Sequence, residues 1–251
     1  MSEDRLKVGM VGVGGFGRTR RKSLRESGCY DIVAAYDLSA DALAEAERED
    51  GARPVASYEA LLETPGLEAI VISTGGKFHA EQMLAAMDRG LPVFVEKPLC
   101  STPDEMHALL DKQRETGLPV GLGHGDHSHD ATSLTIKHLI ESGALGTVAT
   151  FEKTTCHSGG LLIQPGDWRG DPQKNPGGML FQCGVHGLHE LMFYFGPVRK
   201  VGCMMRYDAN PNTGTADVAH CLLEFDSGLI GTLSAYHVTP YRHRFDILAT
   251  K

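Results

Sequence analysis

A glycine-rich hexapeptide near the start of the chain has the spacing of a turn that binds a dinucleotide. Residues 12–17 read Gly-Val-Gly-Gly-Phe-Gly and follow an apolar run, typical of a strand buried on both faces. Gly12 would permit the tight turn, Gly14 would let the backbone approach a pyrophosphate, and Gly17 would let helix and strand pack closely. The next helix would offer unpaired N–H groups to the phosphates.

An acidic residue follows this turn at the distance that dinucleotide sites use. Residues 31–37 read as a second strand that ends in Asp37, 20 residues after Gly17. Its carboxylate would accept hydrogen bonds from the adenosine ribose and repel a 2′-phosphate. We therefore expect NAD, with NADP less favoured. The alternative is an ordinary glycine-rich turn. That interpretation is weaker because a strand precedes the turn, a helix follows it, and an acid stands at the expected distance.

A lysine with potential for chemistry stands at the end of another predicted strand. Lys97 lies between Glu96 and Pro98, and the proline restricts the direction of the lysine. Such a lysine can hydrogen-bond a substrate hydroxyl or the nicotinamide ribose, and its charge favours a developing alkoxide. Taken alone, a surface lysine before a turn proline is the better interpretation.

The composition and charge of the chain exclude several classes of protein. The 251 residues carry 32 acidic and 24 basic side chains, a net charge of −8 that argues against a nucleic-acid surface. The first helix is basic, and we expect its charged side chains to form a solvated face, with Arg18 near phosphate: Arg18, Arg20, Arg21, Lys22 and Arg25. The chain shows no signal peptide or membrane span, and its six cysteines are scattered. We expect a soluble, reduced, cytoplasmic protein.

The order of elements predicts two domains. Strands alternate with helices over residues 1–123, which indicates an α/β Rossmann domain with a doubly wound parallel sheet that binds NAD. Residues 124–251 predict an α+β substrate-binding domain with a mainly antiparallel sheet. Its last strands include a pair joined by a tight turn at residues 226–228.

The combination of motifs resembles the Gfo/Idh/MocA oxidoreductase family over essentially the whole chain. The first domain contributes the glycine turn, Asp37, His79 ahead of an alanine-rich helix, and residues 93–98. The second contributes Trp168-Arg169 and residues 177–186. The resemblance implies an NAD(P)-dependent dehydrogenase that acts on a CH–OH group of a sugar, inositol or related polyol.

The family pattern also implies roles for individual residues. Its catalytic group is the lysine of E-K-P with an Asp-x-x-x-His pair, which Lys97 and His186 match, while Gln182 holds the aspartate position. His186 would accept the hydroxyl proton, Lys97 would orient the hydroxyl, and Gln182 would orient the imidazole or bind substrate. The residues expected to bind cofactor are Gly12, Gly14, Gly15, Phe16, Gly17, Asp37, Ser73, Thr74, His79, Glu96 and Lys97. Those expected to bind substrate are His124, Trp168, Arg169 and His189.

Several alternatives stay open at this point. The His/Asp-rich segment 124–130 could hold a divalent metal, but its spacing fits no standard site, and we predict a polar pocket wall without metal. Gln182 leaves room for a redox-neutral lyase or hydrolase that uses NAD, or for a non-catalytic NAD-binding regulator. Through the resemblance, homo-oligomers could form by the second sheet. The chain stops earlier than the family pattern usually does, which weakens that expectation.

Overall fold

A computed structural model describes residues 5–125, 127 and 130–251. The chain forms two compact units, Met1–Gly123 and His124–Lys251. Within its described residues, the first unit contains six strands and five α-helices. They are β1 (Leu6–Val11), α1 (Gly17–Ser27), β2 (Tyr30–Tyr36), α2 (Ala40–Asp50), β3 (Arg53–Pro54), α3 (Tyr58–Leu62), β4 (Ala69–Ile72), α4 (His79–Met87), β5 (Val93–Glu96), α5 (Pro103–Thr116) and β6 (Val120–Gly123).

The first sheet has the strand order β3-β2-β1-β4-β5-β6, and every neighbouring pair is parallel. The order reverses between β1 and β4, where the ends of adjacent strands leave a crevice for a ligand in folds of this kind. Apolar side chains cover both faces of the sheet, with Met10 and Ala35 on one face and Ile72 and Val95 on the other. The predicted doubly wound parallel sheet is confirmed.

In the part of the second unit that the structure describes, two α-helices are combined with a five-stranded sheet. Its elements are α6 (Ala131–Glu141), β7 (Val148–Cys156), α7 (Val185–Phe195), β8 (Val198–Arg206), β9 (Val218–Phe225), β10 (Ile230–Tyr236) and β11 (Arg242–Ala249). The strand order is β11-β7-β10-β9-β8, in which only β7 and β10 run parallel. The prediction of a mainly antiparallel sheet is confirmed. The predicted tight turn joins β9 to β10, where Gly228 has φ +85° and donates to the carbonyl oxygen of Phe225.

The two faces of this second sheet differ. One packs its large apolar side chains with Leu191 of α7, among them Phe151, Leu223 and Leu233. The register places another set on the opposite face, where all are exposed: Met204, Leu222, Ile230 and Leu248. Within the described ranges, no helix combines the length and the apolar character that a membrane span requires.

The expected solvated basic face of α1 is wrong in part. The Arg21 side chain is only 1% exposed, and its guanidinium pairs with Glu45, Glu49 and Asp50 on α2. Arg18 likewise pairs with Glu45 at 2.8 Å. The arginines turn toward α2 because that helix presents acidic residues to α1. In this structure they tie the two helices together.

Candidate functional site

The glycine turn has the geometry that its sequence predicts. Gly12 adopts φ +79°, and a Cβ placed there would lie 2.7 Å from the carbonyl carbon and oxygen of Ser73. A Cβ on Gly17 would lie 2.1 Å from the Gly12 carbonyl oxygen, so only glycine permits α1 to start this close to the turn. Gly15, at φ +46°, faces open space, and the Phe16 side chain is exposed.

The Asp37 carboxylate closes the glycine turn from the end of β2. Its Oδ2 accepts hydrogen bonds from the backbone N–H groups of Val13 at 2.8 Å and Gly14 at 3.1 Å. Its Oδ1 accepts from the N–H of Ser39 at 2.9 Å, and the Ser39 hydroxyl caps α2 by accepting from the Ala42 N–H. The carboxylate therefore fixes the turn in addition to any contact that it makes with a ribose. Sequence reasoning had missed this internal role.

Ser73 and Thr74 follow β4 directly and lie beside the turn. The Ser73 backbone N–H donates to the Val11 carbonyl oxygen at 2.8 Å, whereas its buried hydroxyl oxygen has no hydrogen-bond partner within the structure. An orphaned hydroxyl at this point fits a bound polar group, as a dinucleotide site requires. The Thr74 hydroxyl instead donates to the side-chain oxygen of Gln82 on α4, at 2.6 Å.

The expected direct contact of His79 with the cofactor does not fit the structure. The His79 side chain is 0% exposed, its Nδ1 lies 2.7 Å from the Pro98 carbonyl oxygen, and its Nε2 lies 3.0 Å from that of Thr74. Both ring nitrogens are thereby engaged by backbone. Burial lowers the pKa of His79, against the raising effect of these two carbonyls and of Glu96. His79 therefore links the loop after β4 to the loop after β5, and these loops carry predicted cofactor residues.

The residues of the E-K-P motif lie at the carboxyl end of β5. Glu96 is buried and accepts a hydrogen bond from Nε of Arg20 on α1 at 2.9 Å. The Arg20 guanidinium also lies over the Phe94 ring, 4.6 Å from its centroid. Lys97 follows as the first residue beyond the strand, and the Lys97–Pro98 peptide bond is cis. The ion pair thus anchors the end of β5 next to Lys97.

A cluster of histidines forms in the second unit around the start of α7. The His124 ring meets the His186 ring edge-on with 4.7 Å between centroids, and it stacks on His189 at 4.4 Å. His127 extends the cluster to 5.5 Å from His189, and its Nδ1 lies 3.0 Å from the hydroxyl of Ser133. Three predicted site residues are therefore brought together. Sequence reasoning placed His127 only in the predicted polar pocket wall and did not single it out for substrate contact.

Gln182 lies one turn before His186, in a π-helical turn, Leu180–Gly184, that leads into α7. Its side-chain amide donates to Oδ1 of Asn175 at 3.2 Å. Asn175 is buried and donates in turn to the Arg169 carbonyl oxygen at 2.8 Å. This chain of hydrogen bonds connects two regions that the sequence analysis treated separately. Asn175 went unnoticed because nothing in the local pattern marks it.

Trp168 and Arg169 form part of a short 3₁₀ turn, Trp168–Gly170, outside the regular elements. The Arg169 guanidinium lies 4.6 Å from the centroid of the Trp168 ring. Both side chains remain accessible, so an indole face and a guanidinium are presented side by side. Such a pair can stack on a sugar ring and hydrogen-bond its hydroxyls.

The structure identifies no metal centre in the part of the chain that it describes. Among those residues, no group of three or more His, Cys, Asp or Glu side chains is arranged to hold a metal ion. Asp126 and His129, which belong to the segment weighed as a metal site, lie outside the described residues. The prediction of a polar pocket wall there stays a prediction.

The chain thus combines a doubly wound parallel sheet, whose glycine turn is closed by an acid, with an α+β unit that carries a histidine-bearing helix. Comparison with known families agrees. Residues 6–124 match the family described as "Oxidoreductase family, NAD-binding Rossmann fold", and residues 133–251 match the "GFO/IDH/MocA C-terminal domain". The chain belongs to the Gfo/Idh/MocA oxidoreductase family.

Individual relatives point in the same direction. The chain is 29% identical over 200 residues to a scyllo-inositol 2-dehydrogenase (NAD(+)) of Bacillus subtilis, a match that covers 77% of this chain and 56% of that relative. An NADP(+)-dependent scyllo-inositol 2-dehydrogenase of the same organism is 25% identical over 226 residues, 88% of this chain and 60% of the relative. The chain thus spans little more than half the length of these relatives.

The crystal structure of a scyllo-inositol dehydrogenase from Lactobacillus casei, with bound NAD(H) and scyllo-inositol, has a closely similar fold. The superposition gives a TM-score of 0.84 at 19% identity, and it covers 99% of this chain and 75% of the other. At this identity the likeness concerns the fold alone.

Proposed function

We propose that this protein is an NAD-dependent oxidoreductase that transfers a hydride between a secondary alcohol of a sugar or polyol and nicotinamide. The observation that carries the proposal is His186, packed edge-on against His124 at the start of α7, in a chain that retains Lys97 directly after β5. The named relatives of the family, which act on inositols, support the substrate class.

When bound, nicotinamide would supply the hydride acceptor, and the glycine turn with Asp37 would hold the dinucleotide. His186 would accept the proton of the alcohol, a task for which histidine suits because its ordinary pKa lies near neutrality. Lys97 would donate a hydrogen bond to the same oxygen and stabilise the negative charge that develops on it.

Gln182 would act as a positioning residue in this scheme. Its amide is held by Asn175 and carries no charge, so it cannot stabilise a protonated imidazole as an aspartate would. We infer that His186 is a weaker base here than in chains with the family aspartate. Gln182→Asp should therefore raise kcat and shift the pH profile of kcat, whereas a purely structural role would leave that profile in place.

The test follows nicotinamide absorbance while a panel of inositols and aldoses is offered with NAD. For the best substrate, His186→Ala should lower kcat by about 10²–10⁴-fold, the usual contribution of a general base, while NADH affinity stays unchanged. His138→Ala provides the matched control, because His138 is an exposed histidine on α6 of the same unit. Unchanged turnover in His186→Ala would overturn the assignment.

The neutral Gln182 favours a second candidate, a redox-neutral lyase or hydrolase that uses NAD transiently. Such an enzyme would consume substrate with bound cofactor and accumulate no NADH. A non-catalytic NAD-binding regulator would bind NADH and turn over no member of the panel. Retention of Lys97 and His186 argues against the regulator, because binding alone needs neither residue.

Two further features belong to the proposal. The six cysteines are free thiols, which suits a reducing cytoplasm. The exposed apolar side chains on the open face of the second sheet, with Met204 and Leu222 among them, suit a homo-oligomer formed through that sheet. Sedimentation equilibrium tests the second point, and a monomer at micromolar concentration would contradict it.

A further inference from the structure

Two cysteines face each other across neighbouring strands of the second sheet. Cys203 on β8 is directly opposite Cys221 on β9 in the antiparallel register. Their sulfur atoms are 3.2 Å apart, with both thiols free. The pair belongs to none of the sites described above.

The directions of the backbone hydrogen bonds along β9 show whether the two cysteines form a hydrogen-bonded or a non-hydrogen-bonded pair. The Phe225 N–H donates to the Leu229 carbonyl oxygen on the β10 side, and Cys221 lies an even number of residues from Phe225 on the same strand. The neighbouring Asp226 N–H donates to Pro197 on the β8 side. Residues of a central strand bond alternately to its two neighbours, so Cys221 bonds toward β10.

Cys203 and Cys221 therefore form a non-hydrogen-bonded pair. In such pairs the Cα atoms are about 4.5 Å apart and the side chains are closest. That separation lies at the short end of the range of about 4.4–6.8 Å that disulfides span. A disulfide is therefore compatible with the backbone spacing at this position.

We propose that Cys203 and Cys221 form a reversible cross-strand disulfide by exchange with a low-molecular-weight disulfide such as oxidised glutathione. Two protein thiols and one glutathione disulfide give one protein disulfide and two glutathione thiols. Two electrons pass from the protein sulfurs to the glutathione sulfurs, and the two thiol protons end on glutathione.

The surroundings of the two thiols set the order of the steps. Cys203 is exposed, and its thiolate attacks the incoming disulfide to form a mixed disulfide, releasing the first glutathione. Cys221 is buried, and burial, followed by the Cys203 thiol beside it, raises its pKa to about 12. It therefore reacts second, as the resolving thiol that displaces the remaining glutathione.

The bond would close a loop that supports the predicted substrate residues. Between the two cysteines, the Asn210 side chain donates to the Gly160 carbonyl oxygen at 2.6 Å, and the Thr215 hydroxyl donates to that of Arg169 at 3.2 Å. These contacts hold the segment that carries Trp168 and Arg169. Oxidation would thus restrain the anchor of that segment.

The test exposes the purified full chain to glutathione buffers of graded ratio, followed by alkylation and mass spectrometry without reduction. Trypsin separates the two cysteines into peptides 201–206 and 207–242. We expect these two peptides to be linked, with a loss of two hydrogen atoms. The number of thiols that can be titrated in denaturant should fall from six to four, and Tm should rise by about 5 °C. Dithiothreitol should reverse all three changes.

Cys203→Ser and Cys29→Ser serve as the paired variants, since both remove an exposed thiol. The first should abolish the linked peptides and the rise in Tm, and the second should retain both. A glutathione adduct on Cys203 that never resolves, a link to a different cysteine, or no reaction under oxidising ratios would each overturn the proposal.

Discussion

Replacing Asp37 with asparagine separates the two roles that the structure and the proposal give to its carboxylate. The substitution keeps the size of the side chain and removes its charge. The carboxylate oxygens accept three backbone hydrogen bonds, from Val13, Gly14 and Ser39. An asparagine can keep two of these bonds through its single oxygen, but its NH₂ group then faces the third N–H donor.

The expected loss of folding stability follows from the number of hydrogen bonds that change. One bond to a charged acceptor is lost, worth about 1.5–3 kcal/mol, and two others weaken to the neutral value. Ser39 is exposed, so water replaces part of its loss, and we expect a net destabilisation of about 2 kcal/mol. That corresponds to a fall in Tm of about 4–8 °C for a domain in this size range. Asp31→Asn is the matched control, because Asp31 lies on the same strand and, among the residues that the structure describes, its carboxylate forms an ion pair with the exposed Arg5, at 3.2 Å.

The second effect concerns the cofactor. Without the negative charge, the repulsion that we propose against a 2′-phosphate disappears, and a charge pair at the protein surface is worth a few kcal/mol at about 4 Å. The ratio of NADPH to NADH affinity should rise about 30-fold or more in Asp37→Asn and stay constant in Asp31→Asn. Fluorescence titration with each nucleotide and differential scanning fluorimetry measure the two effects. An unchanged affinity ratio would refute the proposed contact with the ribose, and an unchanged Tm would refute the role in the turn.

Further changes test the supports of the site. Arg21→Met should cost about 3–5 kcal/mol in urea unfolding, because it leaves buried Asp50 without one of its partners. Gly17→Ala should lower Tm and abolish NADH binding, because its Cβ would meet the Gly12 carbonyl oxygen at 2.1 Å. Burial lowers the folded-state pKa of His79 below its ordinary 6.5. The stability that this contributes is present above pH 6.5 and is lost as the pH falls below 6.5, so acidification should reduce stability. His79→Gln should therefore flatten the profile of Tm between pH 7.5 and 5.5.

Matched substitutions show whether these effects are local. Lys22→Met changes an exposed residue on the same helix as Arg21 and should cost less than about 0.5 kcal/mol. Gly202→Ala places a Cβ in open space on β8 and should leave NADH binding intact. Equal losses in a variant and its control would contradict the structural reason given for each.

The sequence was sufficient for features that depend on local spacing. The conformations of Gly12 and Gly17 follow from the turn itself, and both sheets follow from apolar periodicity. It was insufficient where partners come from distant elements. Arg21 was predicted to be solvated, but three carboxylates of α2 pair with it in the folded protein. His79 was predicted to bind cofactor, but two loop carbonyl oxygens contact its ring nitrogens. The pairing of Cys203 with Cys221 depends on strand register, which periodicity alone does not set.

The most direct test of the proposed chemistry is transfer of label from a polyol to the cofactor. The best substrate of the panel, deuterated at its alcohol-bearing carbons and incubated with NAD and the protein, should give deuterated NADH in equal amount to the ketone formed. His186→Ala should reduce that transfer by at least about 10²-fold. Ketone formation without label in NADH, or consumption of every tested polyol without reduced cofactor, would contradict the account.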